Sequence, residues 1–188
     1  MRDKFRDKYR ISSARLINWD YSSNGFYFLT ICTKNRENLF GEIINNKMRL
    51  SEVGLIVRKY WLEIPRHFPF VKLDEFMVMP NHVHGIIIIM NVETPKSKLV
   101  ETPKSKLVET PKSKLVETPK LGVSTIINQF KRICTIEIRK RYNRFAWQSR
   151  FYDHIIRDEK SLNNIREYIR NNPKNWHKDR NNLEDLYM

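Results

Sequence analysis

The sequence has few cysteines and no long hydrophobic run. Its 188 residues include two cysteines, Cys32 and Cys134, too few for a disulfide framework or a four-thiolate metal site. The longest apolar run, Ile86 to Met90, is far shorter than the roughly 18 residues that a membrane span needs. The first residues, MRDKFRDKYR, lack the apolar segment of a secretory signal. These absences favour a soluble, cytoplasmic protein with no membrane partner.

Acidic residues are outnumbered. The chain has 35 Lys and Arg against 21 Asp and Glu, which gives a formal net charge of +14 and a pI near 9.9. An excess of this size favours a polyanionic partner, and nucleic acid is the first candidate. Hydrophobic residues make up 40% of the chain and aromatic residues 12%, which is enough to build a core. The length suggests one domain.

A repeat segment stands apart from the rest of the chain. From Glu93 the sequence reads ETPKSKLV three times and then ETPK, ending near Lys120. Leu-Val is the only apolar pair in each copy, so the segment buries too little to offset its ordering entropy. We therefore predict that residues 1–188 form one domain, interrupted at about 93–119 by a flexible insertion in a surface loop. The insertion contributes +2, so the basic character belongs to the folded part. A Lys-rich tether to nucleic acid is the alternative interpretation.

The remaining sequence alternates strand and helix patterns. Strands are predicted over 25–33, 71–79, 82–90 and 145–156, helices over 51–64, 124–142 and 158–172, and a small hairpin from Gly41 that turns at Asn45-Asn46. The order strand, helix, strand, strand, helix, strand, helix is that of the ferredoxin-like split βαβ arrangement. The predicted fold class is α+β: an antiparallel sheet with helices on one face plus an extra C-terminal helix.

The stretch MPNHVHG carries the strongest chemical signal. His82 and His84 are two residues apart at the start of a predicted strand, so their side chains leave the same face about 7 Å apart. Two imidazoles placed in this way can converge on one divalent cation, but Mg²⁺ or Mn²⁺ requires further ligands and prefers oxygen. By spacing alone, the pair can equally be two polar residues that begin a strand.

The last predicted helix, SLNNIREYIRNNP, offers oxygen donors. Tyr168 and Asn172 are four residues apart and therefore lie side by side, next to the apolar stripe that would dock on the sheet. A tyrosine hydroxyl and an amide oxygen could together approach whatever the histidines hold. The alternative is that Tyr168 packs its ring in the core and Asn172 caps the helix before Pro173.

Several other residues are candidates for DNA contact. Tyr152 and His154 share one face of a predicted strand, and Tyr152 is the rival nucleophile. Aromatic side chains such as Trp147 and Tyr152 can stack on unpaired bases, although they can equally belong to the core. Basic residues crowd the second long helix and its exit: Lys131, Arg132, Arg139, Lys140, Arg141 and Arg144. Such runs are often merely solvated faces.

These motifs together resemble a known family. MPNHVHG, followed by a C-terminal helix that ends in YIRNNP, is similar to the single-tyrosine HUH transposases, and in particular to the REP-associated tyrosine transposases and the small IS200-like transposases. FYFLTICTKNR resembles their first strand, STIINQFKR their second helix, and AWQSRFYDHIIRDEKSL the segment before their tyrosine helix. The resemblance covers most of the chain from Gly25 to Trp176, with the repeat insertion as the departure.

The resemblance implies a role for each matching residue. His82 and His84 would bind a divalent ion, Mg²⁺ or Mn²⁺, Asn172 would be its third protein ligand, and Tyr168 would be the nucleophile. The implied activity is transposition by cleavage and rejoining of single-stranded hairpin DNA through a 5′-phosphotyrosine link. It also implies a cytoplasmic, nucleoid-associated protein, and it leaves open whether the protein is a monomer or a homodimer.

Three other functions remain compatible with the sequence. A replication initiator or relaxase would use the same HUH chemistry, but such proteins tend to be larger. A non-catalytic nucleic-acid-binding module would share the fold without forming a covalent product. A plain metal-dependent phosphodiesterase would release free DNA ends.

Overall fold

The structure, a computed structural model, describes residues 4–5, 8–9, 19–90 and 121–182. The predicted insertion at 93–119 lies outside this described part. The strands and helices are β1 (Lys4–Phe5), β2 (Lys8–Tyr9), β3 (Gly25–Cys32), β4 (Gly41–Ile44), β5 (Lys47–Leu50), α1 (Glu52–Leu62), α2 (Ile64–His67), β6 (Val71–Val78), β7 (His82–Ile89), α3 (Val123–Arg139), β8 (Tyr152–Ile156) and α4 (Glu159–Asn171). Short 3₁₀ segments cover Lys34–Arg36 and Asn172–Lys178.

Four antiparallel strands form the main sheet in the order β6-β7-β3-β8. The two inner strands, β7 and β3, pair along their whole length, with Thr30 opposite His84 and Cys32 opposite His82. This order is that of the split βαβ arrangement, so the predicted fold class and the central position of the HVH strand are confirmed.

Alternation along β3 divides the protein into layers. Tyr27, Leu29 and Ile31 point to one face, where they pack with residues of α1 and α3 in the larger core. Phe28 points to the other face and packs against Leu162 and Ile169 of α4. Because side chains on a strand alternate, the sheet has α1 and α3 on one face and α4 alone on the other.

Local signals in the sequence explain several boundaries. The Ser51 hydroxyl accepts a hydrogen bond from the Gly54 amide at 3.1 Å and caps α1, as predicted. Asn45 and Asn46 both have positive φ, 50° and 61°, which suits the tight turn of the β4–β5 hairpin. Gly85 of β7 lies directly under Trp61 of α1, so that a Cβ there would overlap the indole ring.

Three predicted boundaries were wrong, and one of them is the end of the helix predicted over 124–142, which stops at Arg139. The strand predicted over 145–156 covers only Tyr152–Ile156, because the aromatic residues before it enter the core from an irregular segment. Phe145 and Trp147 pack against Phe40 there, with ring centroids 6.3 and 5.4 Å away. The first helix ends at Leu62, and Pro65 lies in the first turn of α2, where a missing N–H costs nothing.

Within the described ranges, none of the helices combines the length and the apolar character needed to cross a membrane.

Candidate active site

The two histidines of β7 lie together on the α4 side of the sheet. The centroids of the His82 and His84 rings are 4.3 Å apart. Both side chains are buried, at 0% and 1% exposure. The prediction that they share a face is therefore confirmed, and they are buried within the fold.

Asn81 determines the tautomer of His82. The Asn81 amide nitrogen donates to the carbonyl oxygens of Arg36 and Asn181, at 3.0 and 2.8 Å, which fixes the orientation of the amide. Its Oδ1 atom therefore faces His82 Nδ1, at 2.9 Å. Because this oxygen can only accept, Nδ1 carries the proton and Nε2 keeps its lone pair. That Nε2 atom has no hydrogen-bond partner among the described residues.

His84 links the sheet to the tyrosine helix. Its Nδ1 atom is 2.9 Å from the Thr30 hydroxyl on the neighbouring strand, and its Nε2 atom is 3.1 Å from the Tyr168 hydroxyl. The Tyr168 ring lies edge-on to Phe28, with the ring centroids 6.2 Å apart. The sheet thus holds His84 from one side, and the nucleophile predicted from the sequence contacts it from the other.

The α4 helix is positioned by its cap, its apolar stripe and an ion pair with β6. Asp158 caps the helix by accepting from the Ser161 amide at 2.7 Å, and the buried Leu162 and Ile169 dock on the sheet. On β6, Asp74 accepts a forked hydrogen bond from Arg166, with Nε at 3.0 Å and Nη2 at 2.5 Å. The register between β6 and β7 shifts between Leu73 and Phe76, where this acidic residue lies.

A fourth group, Asp179, completes the cluster. Its Oδ2 atom accepts from the Asn172 amide at 2.8 Å and from the Tyr168 hydroxyl at 3.3 Å. It is 3.9 Å from His84 Nε2. The sequence analysis missed Asp179, because a single acid in the basic stretch HKDRNN resembles an ordinary surface residue. It reaches the site through the chain reversal of the 3₁₀ segment that follows α4.

Burial and neighbouring charges set the protonation states. Burial lowers the pKa of His82 well below its usual range, and the neighbouring His84 lowers it further. Burial also lowers the pKa of His84, although Asp179 opposes this shift. Burial alone would raise the pKa of the Asp179 carboxyl, but the adjacent His84 and Asn172 hold it well below its usual range. Both imidazoles are therefore neutral near pH 7, and the carboxylate is charged.

The donor set suits a divalent cation. Ligand atoms of His82, His84 and Asp179 all lie within 4.8 Å of one another. Asn172 donates through its amide nitrogen to Asp179, so its carbonyl oxygen is the atom left over, and that buried oxygen has no hydrogen-bond partner within the described part of the chain. Two neutral imidazoles, a carboxylate and an amide oxygen are the mixed nitrogen and oxygen donors that Mn²⁺ and, less readily, Mg²⁺ accept.

The basic residues of the second long helix lie elsewhere. The buried face of α3 packs in the larger core, on the opposite face of the sheet from the histidines. Several of its cations have partners within the protein. Arg141 pairs with Glu52 at 2.8 Å, and Lys140 pairs with Glu137 at 2.6 Å. Their role in DNA contact stays a prediction, and the structure does not bring them to the histidines.

The remaining predicted residues divide into two groups. Trp147 is a core residue in part, because its indole nitrogen donates to the Lys131 carbonyl and its ring packs on Phe40. Lys131 and Arg139 donate to the carbonyls of Gln148 and Phe145, and so hold the segment that follows α3. Exposed positions are occupied by Arg132, Arg144, Tyr152 and His154.

Comparison with known proteins gives three results. The family model described as transposase, IS200-like, matches residues 113–172, which include Tyr168 and Asn172. An uncharacterised Haemophilus influenzae protein is 44% identical over 168 residues, 89% of this chain and 90% of that protein. A second H. influenzae protein, with the provisional name REP-associated tyrosine transposase, is 26% identical over 161 residues, 82% of this chain and 73% of its own.

A solved structure supports the fold. It is that of a REP-associated tyrosine transposase bound to a REP hairpin, and it matches with a TM-score of 0.52 at 20% identity, over 88% of this chain and 74% of that one. The likeness includes the four-stranded antiparallel sheet and its helices. Together with the predicted motifs, the matching family model assigns the chain to the IS200-like transposases.

Proposed function

We propose that this transposase cuts and rejoins single-stranded DNA through a covalent bond between Tyr168 and the DNA. One observation carries the proposal: the Tyr168 hydroxyl lies 3.1 Å from His84 Nε2 and 3.3 Å from Asp179 Oδ2. Neutral imidazoles and a carboxylate beside the Tyr168 hydroxyl support a metal-assisted attack of this hydroxyl on a phosphodiester.

Four residues would hold the divalent ion. They are His82 and His84 through Nε2, Asp179 through Oδ2 and Asn172 through Oδ1. A bound Mg²⁺ or Mn²⁺ would polarise the scissile phosphate and neutralise the charge that develops on it. Asn81 and Thr30 would act behind this set, because each contacts the Nδ1 atom of one histidine and so orients the ring.

Tyr168 supplies the bond-forming atom. Its phenol oxygen forms a bond to phosphorus, the bond from phosphorus to the 3′ oxygen breaks, and the phenol proton passes by way of solvent to the leaving 3′ oxygen. The products are a 5′-phosphotyrosine and a free 3′-OH, so the bond energy is conserved and no nucleotide cofactor is consumed. Attack by another 3′-OH on the phosphotyrosine reverses the reaction and rejoins the strand.

All the proposed groups come from one chain. Tyr168 of α4 contacts His84 of β7, and Asn172, directly after α4, contacts Asp179. The Asp74–Arg166 pair holds α4 on β6. The proposed site therefore needs no residue from a second copy, and a monomer can carry out the cleavage step.

The proposed substrate is single-stranded DNA that carries a hairpin. The chain has a net charge of +14, which favours a polyanion, and the structural relative named above is bound to a REP hairpin. Phosphoryl transfer to a tyrosine also requires that the DNA backbone can reach the side chain. Tyr168 is 44% exposed, although its hydroxyl faces the buried histidines.

A covalent-trapping gel tests the proposal. The full chain is incubated with labelled single strands that cover the hairpins flanking its own gene, with Mn²⁺ or with EDTA. We expect an SDS-stable labelled protein band that requires metal and disappears in Tyr168→Phe. Tyr142→Phe is the matched control, because Tyr142 follows α3, is 47% exposed and should leave the band unchanged.

Three outcomes would contradict the proposal. A band that persists in Tyr168→Phe would assign the nucleophile to another residue, with Tyr152 the first to test. Free cleaved ends without any protein band would indicate a plain phosphodiesterase. Binding on a native gel without cleavage, independent of metal, would indicate a non-catalytic binding module.

A further inference from the structure

A cleft opens beside the proposed active site, on the side of β3 and β8. It has a volume of about 290 Å³ and is lined by the strand residues Thr30 and Cys32, by the segment from Gln148 to Tyr152, and by Arg36, Arg180 and Asn181. This volume lies near the lower limit for small-molecule pockets, which suits one nucleotide better than a larger ligand.

Two contacts join the cleft to the catalytic group. Thr30, in the wall of the cleft, contacts His84 Nδ1 at 2.9 Å. Arg36 contributes its carbonyl oxygen to Asn81, the residue that orients His82. Arg180 and Asn181 follow directly after Asp179 in the chain. A group bound against Thr30 in the cleft would therefore be separated from the proposed metal ligand His84 by a single side chain.

The charge of the cleft is positive. Arg36, Arg150 and Arg180 line it, and among the residues that the structure describes no acidic side chain does so. The Arg36 guanidinium donates to the neutral Arg180 carbonyl at 2.7 Å, so this contact leaves its charge uncompensated. The adjacent carboxylate, Asp179, turns instead toward Tyr168 and Asn172.

An aromatic platform lies at the edge of the cleft. Tyr152 is 41% exposed, and its ring meets Phe28 edge-on, with the centroids 6.3 Å apart. The Arg180 guanidinium lies over the same ring, 5.4 Å from its centroid. An exposed ring beside arginines is the combination that binds unpaired bases, because every base has a face that can stack.

We propose that this cleft binds the unpaired nucleotide next to the scissile phosphodiester. Its phosphate contacts the arginines, and its base stacks on Tyr152 in place of the Arg180 guanidinium that lies over the ring. A base can stack there only when it has left the duplex, so the cleft selects single-stranded DNA at the cut site. The inference rests on the proposed function, and it makes Tyr152 a stacking residue where the sequence also allowed a second nucleophile.

A binding experiment tests the cleft without any chemistry. The probe is a fluorescein-labelled thymidine strand of roughly 20 nucleotides, longer than one single-strand site, measured by anisotropy against full-length protein in EDTA. Stacking on one ring contributes about 1–3 kcal/mol, so we expect Tyr152→Ala to weaken single-strand binding between about fivefold and a hundredfold. Tyr152→Phe keeps the ring and should stay within about twofold of wild type.

The arginines are tested through salt dependence. Removing one phosphate contact should reduce the slope of the logarithm of the DNA association constant against the logarithm of the salt concentration by about 0.7 for a single strand. We expect this for Arg180→Ala and Arg150→Ala. The matched control is Arg58→Ala, because Arg58 is exposed on α1, across the sheet from the cleft. An equal loss in Arg58→Ala would overturn the proposal, since the binding would then be spread over the surface.

The position of the bound nucleotide relative to the cut is tested with the base analogue 2-aminopurine, whose fluorescence falls when it stacks. It is placed in turn at each nucleotide around the mapped cut in a Tyr168→Phe background. We expect quenching at a nucleotide beside the cut that is lost in Tyr152→Ala. Wild-type affinity and quenching in Tyr152→Ala, with its Mn²⁺ binding intact, would refute the cleft while leaving the proposed chemistry in place. Loss of affinity in Tyr152→Ala, with no adduct from wild type, would refute the chemistry and leave a single-strand binding cleft.

Discussion

The Oδ1 atom of Asn81 lies 2.9 Å from Nδ1 of His82, and this contact decides which imidazole nitrogen can bind a cation. Asn81 is fully buried and also joins two other parts of the chain through its amide nitrogen. Partners behind metal ligands typically contribute 10- to 100-fold to affinity. The first prediction concerns this residue.

Asn81→Ala should weaken Mn²⁺ binding by about 10- to 100-fold, because His82 loses the acceptor that fixes its tautomer. The affinity is measured by calorimetry on protein whose folding has been checked by circular dichroism. His82→Ala gives the reference for loss of the ligand itself. Wild-type affinity in a folded Asn81→Ala protein would contradict a positioning role for Asn81.

The metal site itself predicts a stability effect. Mn²⁺ at about 100 times its dissociation constant should stabilise the wild-type chain by about 2.7 kcal/mol. This gain should disappear in His82→Ala and His84→Ala, and it should be reduced in Asp179→Asn. The measurement is the melting temperature with and without Mn²⁺. A full Mn²⁺ shift in Asp179→Asn would exclude the carboxylate and leave His82, His84 and Asn172 as the donors.

Tyr168 should ionise late in the metal-free protein. Burial and the charge of Asp179 raise the pKa of Tyr168 to about 12. The absorbance difference near 295 nm between wild type and Tyr168→Phe should therefore show no phenolate near pH 10, the ordinary tyrosine pKa. Asp179→Asn removes the repelling charge and should lower the pKa of Tyr168. A difference spectrum that titrates near pH 10 would contradict the burial and charge described here.

The Asp74–Arg166 pair should stabilise the tyrosine helix in a pH-dependent way. The hydrogen bonds from Arg166 hold the pKa of Asp74 below its ordinary value. Its contribution is therefore present above the unfolded pKa, near 3.9, and is lost as the pH falls through the lower folded pKa. We expect Asp74→Asn to cost about 1–3 kcal/mol at neutral pH, with the difference from wild type shrinking below about pH 4.

Urea unfolding between about pH 7 and pH 3 measures this effect. The urea concentration at the midpoint reports the change in stability, provided that the slope of the unfolding free energy against urea concentration is unchanged. Glu42→Gln is the matched control. Its partner Arg49 is 3.7 Å away and both side chains are more than half exposed, so the loss should be near zero. Equal losses for the two variants would show that the Asp74 pair contributes no more than a surface pair.

Gly85 should tolerate no larger side chain. An alanine Cβ at this position would overlap the ring of Trp61, whereas one at Gly25 would meet its nearest atom, on Tyr27, at an ordinary 3.6 Å. We expect Gly85→Ala to lower the free energy of unfolding by about 1–3 kcal/mol. Gly25→Ala should change it by no more than about 0.5 kcal/mol. Thermal melts compare the two. The cost of Gly85→Ala should also fall in a Trp61→Phe background, as coupled neighbours require.

Periodicity and motif spacing were sufficient for the strand order and for the local relations within the candidate site. Strict alternation placed His82 and His84 on one face, and the helical period placed Tyr168 beside Asn172. Both relations are local, because residues two apart on a strand or four apart on a helix have a fixed relation whatever the rest of the fold does. The strand predicted over 145–156 failed in its first part, since the buried Phe145 and the partly buried Trp147 pack on Phe40 from an irregular segment and do not alternate along a strand.

What the sequence by itself determined was therefore the family, the strand order and the residue types of the site. Only the tertiary structure decided that Asp179 joins the histidines, that Asn81 sets the tautomer of His82, and that the buried face of α3 packs on the opposite face of the sheet from the histidines. The reason is physical: each of these depends on contacts between residues far apart in sequence, as between Asp179 and His84. No local period encodes such contacts, and they arise only when the sheet and its helices pack together.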